Sequence, residues 1–107
     1  MPSPLGERVR ELRLKKALTL EALAERVGSS KSYMWEIENK DVARPSGEKL
    51  QLIAQALDTT ADYLLATDEV TEADAADAAF FRNYQKMNPK SKERLREMLK
   101  ILDDKDE

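Results

Sequence analysis

The stretch LEALAERVGSSKSYMWEIEN, residues 20–39, decides the fold. Its first half places apolar residues three or four positions apart, at Leu20, Leu23, Ala24 and Val27. That spacing is typical of one face of an amphipathic helix. Gly28 follows directly and can adopt the left-handed backbone that ends a helix. The stretch therefore predicts two short helices that are joined by a glycine turn.

The second of these helices is predicted to begin after Ser30, whose hydroxyl can cap it, and to turn Met34 and Ile37 inward. At about 100° per residue, Trp35 falls on the opposite face of this helix. We therefore expect Trp35 to face outward, and the alternative is that its ring packs across the flank of the preceding helix. For Tyr33 the sequence leaves both orientations open.

Helical patterns also flank this stretch. The preceding amphipathic helix is predicted to end near Lys16. After the stretch, Pro45 and Gly47 break the pattern, and a fourth helix and a short fifth one, which begins after Thr60, follow. The apolar faces are formed by Leu5, Val9 and Leu12 in the first helix and by Leu50, Ile53, Ala54 and Leu57 in the fourth. No segment alternates apolar and polar residues long enough to predict a strand, so the predicted fold class is all-α.

The 107 residues include neither cysteine nor histidine. That composition excludes disulfides, thiolate chemistry, the usual zinc ligand sets and a histidine pH switch. The carboxylates are interspersed with basic residues at helical spacing, which favours an ion-paired surface over a catalytic pair. We therefore expect no catalytic residues, no metal and no cofactor, and we predict that the protein is not an enzyme.

The net charge of −3 is unevenly distributed along the chain. Residues 1–65 carry ten basic and ten acidic side chains, whereas residues 66–107 carry eight and eleven. The first part can therefore still bear a basic face. No run approaches the roughly 18 apolar residues that a membrane span requires, and the opening MPSPLGERVR lacks the apolar core of a secretion signal. We expect a cytoplasmic protein that does not contact a membrane.

Five segments together resemble the lambda-repressor-like (Xre) family of helix-turn-helix DNA-binding proteins. In chain order they are LGERVRELR, LTLEALAERVGSS, IENK, RPSGEKLQLIAQALD and ADYLL, and the resemblance covers about Leu5 to Leu65. Ala24 and Gly28 meet the motif's demands for a close helix approach and a turn. The resemblance implies a five-helix domain that binds double-stranded DNA, and we assign it to residues 1–67.

The resemblance also implies roles for particular side chains. The residues expected to reach base edges are Lys31, Ser32 and Glu36, and the outward Trp35 is able to join them. The residues expected to lie along the DNA backbone are Ser30, Tyr33, Asn39, Lys40 and Arg44. In the family, an arginine late in the first helix commonly pairs with a glutamate near the end of the recognition helix. Here those positions hold Arg13 and Glu38, so a structural ion pair is expected between them.

Residues 68–107 differ in character and are predicted to form a C-terminal helical pair. An acidic linker leads into an alanine-rich helix that Thr71 can cap, and Asn88 and Pro89 begin a last helix. The acidic end DDKDE, residues 103–107, is expected to fray. The two apolar stripes consist of Ala76, Phe80, Tyr84 and Met87 and of Leu95, Met98, Leu99 and Leu102.

Both stripes need a surface to pack against, because isolated helices of this length are marginal in water. We expect self-association, and the alternative is docking on the chain's own first domain. The predicted dimerisation residues are Phe80, Tyr84, Leu95, Met98, Leu99 and Leu102.

The predicted function is that of a sequence-specific transcriptional regulator, a repressor, that binds an inverted-repeat operator as a homodimer. The alternative is an antitoxin-like or adaptor protein whose C-terminal helices bind another protein. A nonspecific DNA binder is a third alternative, which the acidic balance weakens.

Overall fold

The computed structural model describes residues 3–41, 45–65 and 70–106. Within these ranges the chain forms seven helices and no strand, which confirms the predicted all-α fold. The helices are α1 (Pro4–Lys15), α2 (Leu20–Val27), α3 (Lys31–Asn39), α4 (Gly47–Ala56), α5 (Ala61–Leu65), α6 (Glu72–Lys86) and α7 (Pro89–Asp106). We call α1 to α5 the head and α6 with α7 the arm. The predicted boundary at residue 67 lies outside the described residues.

Side-chain caps define where most of the helices begin. The hydroxyls of Ser30 and Thr71 accept hydrogen bonds from backbone N–H groups three residues ahead, and Asn88 caps α7 through its side-chain oxygen. Gly28 ends α2 in the left-handed conformation at φ 72°, as its position predicted. Ser46 caps α4, so this helix begins at Gly47, three residues before its first buried leucine.

The core of the head is built from the apolar faces of its five helices. Its largest fully buried side chains are Val9, Leu23, Met34, Ile37, Ile53, Leu57 and Leu64. Helix α3 packs against both α1 and α2, and α2 also packs against α4. Helix α5 is attached to α1 by Arg8, whose guanidinium donates a hydrogen bond to the Tyr63 carbonyl and lies 4.2 Å from the centre of that tyrosine ring. The whole arrangement leaves one face of α3 directed outward.

Helix α6 packs on the head through a face that the sequence pattern did not predict. Ala75 and Ala79 are fully buried, and Ala75 belongs to the core cluster of the head. Phe80, on the predicted stripe, is exposed, and so is Ala76. Small side chains allow α6 to approach the head closely, whereas the bulky stripe remains available on the other side. Helix α6 therefore docks on the head through its alanines, while Phe80 of the predicted stripe stays exposed, and self-association of the arm remains a prediction.

Helix α7 extends away from the head, and its nearest partner is α6. Arg96 donates a hydrogen bond to the Tyr84 hydroxyl over 2.6 Å, and the Lys92 ammonium lies 5.4 Å from the centre of the same ring. The helix continues to Asp106, so it includes most of the acidic end that was expected to fray. No glycine or proline interrupts that end, which leaves the backbone free to continue the helix.

The molecule is elongated as a result, with principal extents of 48 × 27 × 24 Å. Its radius of gyration of 16.0 Å exceeds the value of about 13 Å that is typical of a compact domain of this length. Among the described residues, no helix combines the length and the apolar character that crossing a bilayer would require.

Candidate nucleic-acid interface

Helix α3 is anchored by its inner face and presents its outer face to solvent. Met34 and Ile37 are buried, and Trp35, one residue from Met34, is 45% exposed. Trp35 therefore faces outward, as the helical wheel predicted. Tyr33, for which both orientations were open, is partly buried and packs against the core.

An ion pair fixes the orientation of α3 relative to α1. Arg13 Nε lies 2.7 Å from Glu38 Oε2, and Arg13 Nη2 donates a second hydrogen bond over 3.0 Å to Glu38 Oε1. The third arginine nitrogen, Nη1, donates to the Leu18 carbonyl over 2.8 Å. The side chain of Glu38 is 1% exposed and that of Arg13 is 11% exposed, so the ion pair is almost completely shielded from solvent. The two parallel hydrogen bonds of such a bidentate pair restrict the relative orientation of the side chains. Loss of either partner would leave a buried charge without its counter-ion.

A glycine allows α1 to cross the end of α3 at very short range. A Cβ atom added at Gly6 would lie 2.3 Å from the carbonyl oxygen of Ile37 and 3.1 Å from that of Glu38. Both oxygens belong to the backbone and cannot rotate away, as a side chain could. Only glycine therefore fits this crossing, which together with the ion pair positions the recognition face.

The four residues predicted to reach base edges are brought together on that face. Lys31, Ser32, Trp35 and Glu36 line one open cleft of about 450 Å³. They occupy two successive turns of α3, since positions four apart lie above one another on a helix. The cleft is lined by residues that carry an ammonium, a hydroxyl, a carboxylate and an aromatic ring. These groups can donate to, accept from or pack against the edges of base pairs.

The residues predicted to lie along the DNA backbone have more varied surroundings. Ser30 uses its hydroxyl to cap α3 by accepting from the Tyr33 N–H over 3.1 Å. Asn39 donates from Nδ2 to the Trp35 carbonyl over 2.9 Å, and the exposed Lys40 ammonium lies 5.7 Å from the centre of the Trp35 ring. Arg44 lies outside the described residues. Lys40 thus partly covers the indole, and the two side chains form a connected surface.

A contact between α2 and the first residue of α3 was not predicted from the sequence. Lys31 Nζ lies 3.1 Å from Glu21 Oε1, and both side chains are mostly exposed. The partners are ten positions apart and are separated by the turn, so neither helical periodicity nor composition could have identified them. An exposed pair of this kind adds little stability, but it gives Lys31 a preferred direction.

The residues predicted for dimerisation lie on the outer surface of the arm. Phe80, Met98, Leu99 and Leu102 are exposed, whereas Tyr84 and Leu95 are partly buried. Phe81 and Ile101 are exposed as well and were not predicted, because they fall beside the two apolar stripes instead of on them. The exposed apolar surface is therefore wider than the sequence pattern indicated.

The family model described as helix-turn-helix matches residues 9–64, which run from α1 through α5. The chain belongs to the helix-turn-helix family. This finding confirms the lambda-repressor-like resemblance.

The sequence of the chain is similar to those of several HTH-type transcriptional regulators. The HTH-type transcriptional regulator SinR of Bacillus licheniformis is 34% identical over 70 residues, which are 65% of this chain and 63% of the relative. SinR of Bacillus subtilis (strain 168) gives the same identity and coverage. YobD of Bacillus subtilis, an uncharacterized HTH-type transcriptional regulator, is 39% identical over 66 residues. The match covers less than two thirds of the length of the two SinR proteins.

Solved structures of SinR resemble the helix-turn-helix protein in two ways. A crystal structure of SinR in complex with DNA has a TM-score of 0.54 at 34% identity and covers 57% of this chain and 97% of that chain. A SinR–SinI complex has a TM-score of 0.55 at 27% identity and covers 95% of this chain and 97% of that chain. The second likeness therefore extends beyond the head into the arm.

Proposed function

We propose that this protein is a sequence-specific DNA-binding transcriptional regulator, a repressor, that binds an inverted repeat as a homodimer in the cytoplasm. The observation that carries the proposal is the cleft on α3, where Lys31, Ser32, Trp35 and Glu36 meet on an outward face. A rigid helix with such groups on its free side fits the major groove of B-DNA. The relatives support the proposal, because SinR is named a transcriptional regulator and was solved in complex with DNA.

The chemistry of the cleft favours recognition of particular base pairs over simple attraction to phosphate. Lys31 can donate to guanine O6 and N7, and Glu36 can accept from the N4 amino group of cytosine. Trp35 adds an apolar surface that can contact a thymine methyl group. A carboxylate on a face that meets DNA repels phosphates, so Glu36 fits base recognition better than nonspecific binding.

The exposed surface of the arm supports the homodimer. Phe80, Met98, Leu99 and Leu102 would lose their contact with water against the same surface of a second copy. Two linked heads can bind DNA about 10²–10⁴ times more tightly than one head, because the second contact becomes intramolecular. The proposed regulator therefore needs both parts of the chain.

The test is selection of bound sequences by the purified full-length protein from a random pool of double-stranded DNA. We expect enrichment of an inverted repeat, with half-sites centred about one helical turn or a multiple of it apart. Failure to enrich any sequence would contradict the proposal.

A variant of the cleft makes this test sharper. Glu36→Gln should change the preferred base at one symmetric pair of positions, because an amide also donates and no longer selects cytosine N4 alone. Arg44→Ala is the matched control: it should weaken all sequences about equally and lower the salt dependence, as loss of one phosphate contact does. An unchanged sequence preference in Glu36→Gln would remove Glu36 from the set of base-reading residues.

The second candidate function is that of an antitoxin-like or adaptor protein whose arm binds a different protein. It is favoured by the likeness to the SinR–SinI complex, which covers 95% of this chain, and by the exposed Phe81 and Ile101 beside the two stripes. In this case the purified protein alone would remain monomeric in light scattering and would select no inverted repeat. The homodimeric regulator predicts the opposite result in both measurements.

A further inference from the structure

Helix α6 is held on the head at two separate points. Near its beginning, both carboxylate oxygens of Glu72 accept from Lys15 Nζ, over 2.7 and 2.8 Å. One side-chain nitrogen of Arg82, Nη1, donates over 3.0 Å to the carbonyl oxygen of Thr59 in the turn before α5. The two contacts are ten positions apart, or about 15 Å along a helix. Two points at that separation define the direction of a helix.

The helix surface between the two points packs directly on the head. Ala75 and Ala79 are fully buried there, so α6 lies close against the head. Rotation of α6 about its axis would expose these alanines and break the contacts of Glu72 and Arg82. We call the set Lys15, Glu72, Ala75, Ala79, Arg82 and Thr59 the clasp.

The clasp connects the recognition face to the surface proposed for dimerisation. Phe80 and Phe81 project from the free side of the same turns of α6 that carry Ala79 and Arg82. Their position relative to α3 therefore depends on the contacts of the clasp. In a dimer joined through the arm, the same contacts would fix both heads.

We propose that the clasp determines which spacing between two operator half-sites this protein accepts. The inference rests on the proposed function, since it requires a dimer that binds two half-sites. B-DNA turns once in about 10 base pairs, so adding two base pairs rotates one half-site by about 70° around the axis. A dimer with fixed heads cannot follow that rotation and loses its second contact, whereas a dimer with loosely attached heads can.

The two polar contacts of the clasp contribute more to the orientation of α6 than to the stability of the protein. Variants that break these contacts should therefore remain folded and can be tested. Lys15 and Glu72 are largely exposed, and exposed pairs stabilise proteins little. Hydrogen bonding to the Glu72 carboxylate raises the pKa of Lys15 above its ordinary value, so this ammonium stays charged at neutral pH. Arg82 Nε and Nη2 are buried without a hydrogen-bond partner among the described residues, which offsets the benefit of its bond to Thr59.

The double variant Glu72→Ala/Arg82→Ala removes both polar contacts of the clasp and leaves the net charge unchanged. The matched control is Glu97→Ala/Arg94→Ala, which makes the same two replacements at exposed positions of α7. A stronger variant, Ala79→Glu, forces a large charged side chain between α6 and the head. Light scattering should show a dimer for every protein, and the double variant should melt within a few degrees of the control.

Attachment of α6 is measured without DNA. The chain has no cysteine, so spin labels can be placed on Gln51→Cys in α4 and Asn83→Cys in α6, both at exposed positions. Diluting the labelled protein with an excess of unlabelled protein pairs each labelled chain with an unlabelled one. The measured distance is then the distance between the two labels of a single chain. We expect one narrow distance distribution for the wild type and the control, and a broad one for the clasp variants. Equally narrow distributions in all proteins would overturn the inference.

Spacing preference is then measured on the selected inverted repeat with its spacer changed by one to five base pairs. We expect the wild type and the control to lose about 10²-fold in affinity at a half-turn change, and the clasp variants to lose about tenfold or less. If a clasp variant were dimeric and kept the wild-type spacing preference, this inference would be overturned, but the proposed function would stand. A wild-type protein that binds single half-sites as a monomer would overturn the proposed function, and this inference with it.

Discussion

Gly6 is the residue at which a single methyl group should have the largest effect on the recognition face. Because the added Cβ would meet the backbone oxygens of Ile37 and Glu38, Gly6→Ala must push α1 away from α3. We expect a loss of about 1–3 kcal/mol in the free energy of unfolding, the usual range for overpacking. Urea denaturation followed by circular dichroism measures this loss.

Gly47 provides the matched control for that substitution. It is the first residue of α4, and nothing lies within 4 Å of a Cβ added there. Gly47→Ala should therefore leave stability unchanged or raise it by up to about 1 kcal/mol, because alanine restricts the unfolded chain. Equal losses at both positions would show that the crossing of α1 and α3 is not tight.

Trp35 should separate binding from stability. A buried tryptophan would lose about 3–5 kcal/mol on truncation to alanine, but Trp35 is 45% exposed and lies on the free side of α3. Trp35→Ala should therefore lower DNA affinity while the melting temperature changes by only a few degrees. Leu14→Ala, at another exposed apolar residue, in α1, should change neither quantity. A large drop in melting temperature for Trp35→Ala alone would mean that the ring supports the fold.

The packing of α1 against α3 depends on the Arg13–Glu38 ion pair, and a double-mutant cycle measures the interaction energy of the two side chains. Arg13→Met leaves the buried Glu38 carboxylate without its partner, and we expect a loss of about 3–5 kcal/mol. Arg13→Met/Glu38→Leu strands no charge, so it should be more stable than Arg13→Met. Thermal unfolding of the two single variants and the double variant tests this order. Additive losses would mean that the two side chains do not interact across the helices.

The helices of the head could be predicted largely from local signals. Gly28 and Ser30 act within a few residues of their own positions, and they mark helix ends in the structure as they do in the sequence. The inner face of α3 followed from Met34 and Ile37 for the same reason. The identity of the outward residues as base readers came from the family resemblance and remains a prediction.

The packing of α6 could not be predicted in this way. Its sequence offers a bulky stripe that includes Phe80, and a helix usually buries such a stripe. The structure instead buries Ala75 and Ala79, because small side chains permit close contact and Arg82 reaches a carbonyl 23 positions earlier in the chain. Contacts at that separation leave no periodic signal, and the Glu21–Lys31 pair was missed for the same reason.

At the scale of the whole molecule, the head and the arm bury their apolar residues differently. The head encloses its apolar residues in a core to which the arm adds Ala75, whereas Met98, Leu99, Ile101 and Leu102 of α7 remain exposed on the arm. A surface of this kind on one elongated part of a chain is typical of an interaction site. Helix α6 connects the two parts, since one side of it docks on the head and the other side remains free.

Two truncations should therefore separate stability from assembly. A chain ending at Met87 keeps the clasp and loses α7, whereas a chain ending at Thr67 loses α6 as well. We expect both to be folded monomers in light scattering and to bind DNA about 10²–10⁴ times more weakly than the dimer. The shorter chain should also melt at a lower temperature, because removing Ala75 exposes part of the core near Leu12 and Leu57.

The size of that difference follows from the area involved. Uncovering a few buried methyl and methylene groups removes on the order of 1–2 kcal/mol, and each kcal/mol shifts the melting temperature of a domain this small by about 4–8 °C. Calorimetry on the two truncated chains measures the shift. If they melt together, α6 does not stabilise the head, and if the chain ending at Met87 stays dimeric, the dimer contact lies in α6 or the head and not in α7.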